Sequence, residues 1–265
     1  MSFGNDFTVL TFNIMHAEFA FIDDDRYPWC AKEHLAWSHR LPLIRQIISE
    51  SKADIVCLQE ADAETVEADF AGLGYAIEWQ KHKKKLKALE KWREEQKSNP
   101  VAKKPNTIIC ATLYKPERFE AVTTDIGSRV MTVELHELST GRHLWVTNAH
   151  LEALATPQAC LARLTHVTNL VKREPYHLVC GDFNDFPDSP PVKMMEERGF
   201  NSIWERVRPP SYTLYTRYWQ NVVDYVFFTP ALRFEAAESH PRSKIPCVNF
   251  PSDHIPVRVT FRFSL

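Results

Sequence analysis

The sequence predicts a four-layer α/β sandwich, in which two packed, mixed and largely antiparallel β-sheets are flanked by helices, and three observations lead there. Apolar, β-branched runs recur at 8–14 (TVLTFNI), 54–60 (DIVCLQE), 144–151 (LWVTNAHL), 178–184 (LVCGDFN) and 221–228 (NVVDYVFF), and they read as core strands. Segments with helical spacing fall between such runs in both halves, so each half runs strand, helix, strand. A length of 265 residues with 44% hydrophobic content suits one domain with a large core. Mixed strands with helices in both halves of one domain point to two sheets packed face to face under helical covers.

Taken in order, 8–15 is expected as the first strand, followed by the polar, aromatic loop DDDRYPWCAKEH. The apolar spacing of LPLIRQIISES predicts a helix over 41–51, and a short turn then opens a strand at Asp54. A second helix after Glu60 should stop near Gly72 and Gly74, where glycine can take the left-handed cap conformation. Strands follow at 107–114, 120–124, 129–136 and 143–149, the last two joined by an STGR turn in an antiparallel hairpin. Helices are expected over 156–172 and 189–198, the second opened by Pro190 and Pro191. The remainder reads as β, at 212–216, 222–228, 232–239 and 255–263.

Charge is unevenly spread. Between Lys81 and Lys104 nine Lys and one Arg stand against three Glu, a balance of +7 that leaves −9 for the rest, given a net charge of −2. KHKKKLKALEKWREEQK predicts a helical insertion at about 81–104, read as a solvated surface helix, with an electrostatic rail for a polyanion as the functional alternative. The six cysteines contain no C-x-x-C pair, which favours buried free thiols over disulfides or a zinc site. No apolar stretch approaches the ~18 residues of a membrane span. The start MSFGNDFTVL carries no leader pattern, so a cytoplasmic protein is expected, or a nuclear or organellar one if a leader precedes it.

Each strand-like run ends in an acid, an amide or an imidazole, a costly layout unless those groups share a task. A divalent cation flanked by phosphate oxygens would satisfy Glu60, Asp182, Asn184 and Asn13 together. In CGDFND the glycine permits a turn, Asp182 supplies a carboxylate that can take a proton from water, and Asn184 would orient that water. Singly, Glu60 is an ordinary strand-end charge and Asn13 an ordinary turn residue; together they become a cation ligand and its positioner. His254, beside Asp253, can pair with Asp224 and stay cationic, while His150, with Asn148 nearby, would donate to phosphate oxygens. Phosphate-cradling glycine motifs and a G-x-S-x-G elbow are absent, which excludes those schemes.

In this order the segments, closing with FPSDHIPV at 250–257, resemble the endonuclease/exonuclease/phosphatase superfamily over 8–257, apart from the Lys-rich insertion. The resemblance implies a four-layer sandwich and a Mg²⁺ site, with Mn²⁺ able to substitute, formed by Asn13, Glu60, Asp182, Asn184, Asp224, Asp253 and His254. YPWCAKEHLAWSHR, SYTLYTRYWQNVVDYVFF, NAHL and PSDH are similar to the group containing nocturnin, angel, the mitochondrial 2′-phosphodiesterase and the carbon-catabolite-repression deadenylases. That likeness implies hydrolysis at single-stranded RNA 3′ ends; a monomer is expected, and edge-loop aromatics such as Phe186, Tyr215, Tyr218 or Trp219 are expected to stack on bases. Ala149 in place of Thr, Asp185 in place of Ser and the Lys-rich stretch depart from the group's pattern. Competing expectations are a DNA-repair or small-molecule phosphatase on the same scaffold, and a catalytically silent RNA-binding module.

Overall fold

The computed structural model describes residues 6–264, save 24, 100, 241 and 243. The first five residues of the stretch read for a leader, and Pro100 in the segment closing the Lys-rich helix, lie outside the described residues. In chain order the elements are β1 (Asp6–Asn13), α1 (Lys32–Leu35), α2 (Trp37–Ser51), β2 (Ile55–Asp62), α3 (Val66–Phe70), β3 (Ala76–Trp79), α4 (Lys83–Gln96), β4 (Ile108–Tyr114), β5 (Phe119–Ile126), β6 (Val130–Glu137) and β7 (Arg142–His150). They continue with α5 (Pro157–Asn169), β8 (His177–Asp182), α6 (Pro190–Glu197), β9 (Asn201–Ser202), β10 (Leu214–Tyr215), β11 (Gln220–Asn221), β12 (Asp224–Phe228), β13 (Leu232–Glu238) and β14 (Val257–Phe263).

Two six-stranded sheets, ordered β13-β14-β1-β2-β4-β3 and β5-β6-β7-β8-β12-β9, form the middle of the molecule. Among the described residues only β1 with β2 and β7 with β8 pair in parallel. Helices α2 and α5 make those two crossovers, and the other connections are antiparallel. Three cores separate four layers. Leu10, Phe12, Val56 and Leu58 meet Ile44 and Ile48 of α2 on one side. Phe7, Val9, Cys57, Val146, Cys180, Val226 and Phe261 fill the space between the sheets. Val179 and Phe227 pack with Val167 of α5 and Met195 of α6 on the other side. Strands buried on both faces must be continuously apolar, which is why the runs lack a clean alternation.

Local chemistry sets the helix ends. Thr156 Oγ1 accepts the N–H of Ala159 at 3.2 Å, and Pro157 follows as the first helical residue of α5. Helix α2 starts four residues earlier than its apolar spacing suggests. Arg40, wholly buried, fixes that first turn by donating to the carbonyls of Leu35, Ile14 and Pro251. Helix α4 is docked by buried Leu89 and by Leu86, which packs on the helix-side core. Its Lys-rich segment is therefore half anchored, with Lys104 paired to Asp62 at 2.8 Å and Glu64 at 3.0 Å. Strands β3 and β9 have no counterpart in the sequence reading, being four and two residues long at sheet edges. The run expected over 212–216 pairs with β11 in a small separate hairpin, although it also bridges to His254. Among the described residues no helix is long and apolar enough to cross a membrane.

Candidate active site

Alternation along the strands brings the polar residues together. In β1, β7, β8 and β12 the residues facing the other sheet include Val9, Val146, Cys180 and Val226. Steps of two residues from these reach Asn13, Asn148, His150, Asp182 and Asp224 on the same face. The inter-sheet core is thus apolar along its length and polar at one end.

Glu60 breaks that parity and is turned in by its backbone. With Val56 and Leu58 facing the helices, an undisturbed strand would send Glu60 the same way. The β2–β4 register instead shifts between Leu58 and Ala61, and Glu60 adopts φ +62°, a bulge with a left-handed residue. Its carboxylate accepts the N–H of His16 at 2.7 Å and Nδ2 of Asn13 at 3.0 Å. A glutamate at positive φ costs about 1–2 kcal/mol, held here by those bonds.

Asn13 is the hinge of the cluster, since its Nδ2 also donates to Asp182 Oδ2 at 3.0 Å while its Oδ1 accepts the N–H of Met15. Asp182 Oδ1 accepts the N–H of Asn184 at 2.8 Å, and Asn184, at φ +50°, donates Nδ2 to the carbonyl of Leu151. Asn184 therefore positions Asp182 through its backbone. Gly181 makes this approach possible: a Cβ there would lie 2.0 Å from the carbonyl oxygen of Ala149, and its φ is +138°. Nε2 of His254 stands 3.6 Å from Asp182 Oδ2, and Nδ1 lies 2.9 Å from Asp224 Oδ2. His150 Nε2 is 3.5 Å from Glu60 Oε1 and 4.0 Å from Asp182 Oδ2.

Burial and charge divide the protonation states. Burial raises the Asp182 carboxyl to about 7, with Asp224 adding to it, while His254 and the bonds from Asn184 and Asn13 pull the other way. For His254 burial acts to lower the value, but Asp224 and Asp182 outweigh it and hold the imidazolium up to about 10. His150 is shifted down, chiefly by burial and also by Arg129 and His254, against the pull of Glu60, so its ring is neutral.

The donor set suits a hard divalent cation. Carboxylate oxygens of Glu60 and Asp182 both sit 3.0 Å from one amide nitrogen, which places two anionic oxygen donors around a shared point. Ligand-type atoms of Asp182, Asp224 and His254 also lie within 4.8 Å of one another. With its imidazole flanked by the two carboxylates, that trio is arranged as a hydrogen-bonded relay, and Glu60 is the carboxylate outside it.

Three expected site residues sit differently. Asn148 is fully buried between the sheets, donating to the carbonyls of Leu58 and Ala111 and accepting from Gln59 Nε2 at 2.7 Å, so its amide is engaged by protein partners behind the cavity wall. Tyr215 packs edge-on against Trp29 and Tyr212, because strand alternation gives the cavity face to Leu214. Asp253 lines the cavity, but its Oδ2 accepts the Tyr27 hydroxyl at 2.5 Å and faces Arg26 at 3.5 Å, so that oxygen is engaged by protein donors. Phe186 is exposed at the cavity rim, stacked on Trp219 with ring centroids 6.2 Å apart. Tyr27 was not singled out from the sequence, although its motif YPWCAKEH was. Asp185, in place of a serine, closes on buried Arg163 at 2.8 Å and so braces the loop after Asp182. The cavity lined by Glu60, His150, Asp182, Asn184, Asp253 and His254 is about 820 Å³.

Known proteins share this fold. The Endonuclease/Exonuclease/phosphatase family matches residues 10–254. Nocturnin of Drosophila melanogaster is 26% identical over 95% of this chain and 46% of its own length. The CCR4-Not complex 3′-5′-exoribonuclease subunit Ccr4 of Saccharomyces cerevisiae is 24% identical over 97% of this chain and 39% of its own. The chain thus spans less than half the length of these two relatives. A solved structure of ANGEL2, a 2′,3′-cyclic phosphatase, in complex with adenosine-2′,3′-vanadate superposes with a TM-score of 0.78 at 18% identity, covering 98% of this chain and 96% of that one. The human Nocturnin catalytic domain with bound sulfate gives 0.71 at 22% identity, over 98% and 94%. The matched segment contains every strand end that delivers the buried carboxylates and imidazoles, and the chain belongs to the Endonuclease/Exonuclease/phosphatase family, whose members hydrolyse phosphate esters.

Proposed function

We propose that the protein is a divalent-cation-dependent phosphodiesterase that hydrolyses linkages at RNA 3′ ends. The observation that carries this reading is that Asp182, His254 and Glu60 line one cavity, backed by buried Asp224 and Asn13, and that the same cavity holds the Phe186–Trp219 stack. The names of Ccr4 and ANGEL2, an exoribonuclease subunit and a cyclic phosphatase, support chemistry at RNA ends.

Asp182, with a proton affinity near neutrality, takes the proton of the attacking water. Asn184 N–H and Asn13 Nδ2 each hold one of its oxygens, so the base is oriented before substrate arrives. The imidazolium of His254, backed by Asp224, offers a positive donor to the non-bridging phosphate oxygens. Neutral His150 adds a second donor beside Glu60. Glu60 would hold Mg²⁺, with Mn²⁺ as substitute and Asn13 positioning its carboxylate; when bound, the ion neutralises charge on the phosphate and the departing oxygen. Exposed Phe186 and Trp219 give bases a face to stack on.

The test is cleavage of oligoadenylate, 2′,5′-linked RNA, a 2′,3′-cyclic phosphate end and abasic DNA, by wild type and Asp182→Ala. Cleavage of an RNA end, abolished in the variant, supports the reading. Preference for abasic DNA would move the protein to repair chemistry, and no cleavage in Mg²⁺ or Mn²⁺ would leave an RNA-binding module.

A further inference from the structure

Among the described residues four arginine and lysine side chains line the cavity, and three of them meet a carboxylate. Arg163 is closed by Asp185 and by the carbonyls of Glu152 and Leu154, and Arg26 faces Asp253 and Tyr27. Arg129 meets a single carboxylate oxygen that it shares with His166, and Lys85 meets none among the described residues.

Lys85 reaches from the first turn of α4 to the carbonyl of Ile108, and among the described residues it pairs with no carboxylate. Ile108 and Ile109 pair with Asp62 and Ala61 on β2, which sets Lys85 just beyond the Glu60 bulge. Arg129, between β5 and β6, is tied to the same flank because its carbonyl accepts the N–H of His150 at 2.9 Å. Its Nε meets Glu152 Oε1 at 3.1 Å, an oxygen that His166 also approaches at 3.3 Å. Gln80 pins the two walls together, donating Nε2 to the carbonyls of Gly127 and Val130 and accepting the N–H of Cys110.

The two cations repel. Burial, and then Arg129, push the Lys85 ammonium below its ordinary range. Like charges lining one wall, with Glu152 beside Arg129 and no carboxylate beside Lys85 among the described residues, are stabilised when an anion bridges them. Arginine and lysine together suit the several oxygens of a phosphate.

We infer that Lys85 and Arg129 form a subsite for a second phosphate of the substrate, one internucleotide linkage from the phosphate attacked at Asp182. The inference rests on the phosphodiesterase reading and narrows it. The substrate class becomes oligonucleotides with at least two linkages, and the Lys-rich helix acts through one inward lysine, with its outer face left to solvent.

The experiment compares kcat/KM for the trinucleotide ApApA, with two linkages, and the dinucleotide ApA, with one, in wild type, Lys85→Gln, Arg129→Gln, the double variant and Lys85→Arg. Calorimetric titration of ApApA into each protein in EDTA gives a second readout. Wild type should favour ApApA by about tenfold or more, the scale of a charge-assisted pair. That ratio should fall toward one in the double variant, through KM, and survive in Lys85→Arg. Affinity for ApApA in EDTA should fall alongside it, with a shallower salt dependence. An absent wild-type preference, or one that the double variant keeps, overturns the subsite while leaving the phosphodiesterase intact. Should neither oligonucleotide be cleaved, the phosphodiesterase reading fails, and the EDTA titration still decides the subsite. Weaker binding by the double variant then upholds it, and equal binding removes it.

Discussion

Oδ2 of Asp224 lies 2.9 Å from Nδ1 of His254, and this buried contact keeps the opposite ring nitrogen protonated and aimed at Asp182. Asp224 thus works through His254. Asp224→Asn keeps the shape and removes the charge that offsets burial, so the imidazole should lose its proton near neutral pH. The expected result is a fall in kcat of about 100-fold or more, the scale of losing one electrostatic donor. The basic limb of the pH–rate profile should move to lower pH. Activity within twofold of wild type would take the relay out of the chemistry.

A separate histidine governs acid stability. His177 is buried, with Nε2 2.8 Å from the Thr147 hydroxyl and Nδ1 accepting the N–H of Arg173 at 3.0 Å. Burial first, then Arg173 and Lys172, lower it to about 3 from 6.5. Because the folded value is below the unfolded one, protons bind the unfolded chain more tightly. The neutral ring's contribution is complete above pH 6.5 and is lost as pH falls toward 3. Denaturant unfolding should show stability dropping by about 1.4 kcal/mol per pH unit below 6 from this residue. His177→Gln should flatten that slope, and an unchanged slope would assign acid sensitivity elsewhere.

What the sequence made legible, and what it did not, divides along the reach of the interactions. Strand ends such as Asn13, Asp182 and Asp224 were readable because period-two alternation carries each from an apolar run to the same face. Glu60 was found by its chemistry, but no periodicity announced the bulge and positive φ that turn it inward. Asn148 misled because an amide near a strand end reads alike whether it meets solvent or the opposite sheet; only the tertiary partners Gln59, Leu58 and Ala111 distinguish the two. Tyr215 misled because its strand is two residues long, too short for alternation to show. The Lys-rich helix offered charge in abundance and no hint that Lys85 alone would line the cavity with Arg129.

Asn148 makes a prediction of its own. Its amide joins the two sheets, and removing it strands the carbonyls of Leu58 and Ala111 and the amide of Gln59 in the buried core. Asn148→Ala should cost about 2–4 kcal/mol in denaturant unfolding, at 1–3 kcal/mol for each buried group left unsatisfied and partly relaxed. KM of the folded fraction should move far less than stability does. A raised KM at unchanged stability would return Asn148 to the substrate.

Gly181 tests how the site is built into the strand. It stands opposite Ala149 in the parallel β7–β8 pair, one residue before the proposed base, with its missing side chain filled by the Ala149 carbonyl. A methyl group at 2.0 Å from that oxygen cannot be absorbed by a rotamer change, since the obstacle is backbone, and φ of +138° is itself unfavourable for alanine. Gly181→Ala should therefore separate the strands at their functional end, costing about 3 kcal/mol or more. The displacement would carry Asp182 away from Asn13 and uncouple it from His254. Turnover should fall even under conditions where the variant remains folded, as judged by circular dichroism. Full stability and activity in Gly181→Ala would mean that the close β7–β8 approach does not exist, and with it the reason that Asp182 meets His254 at 3.6 Å.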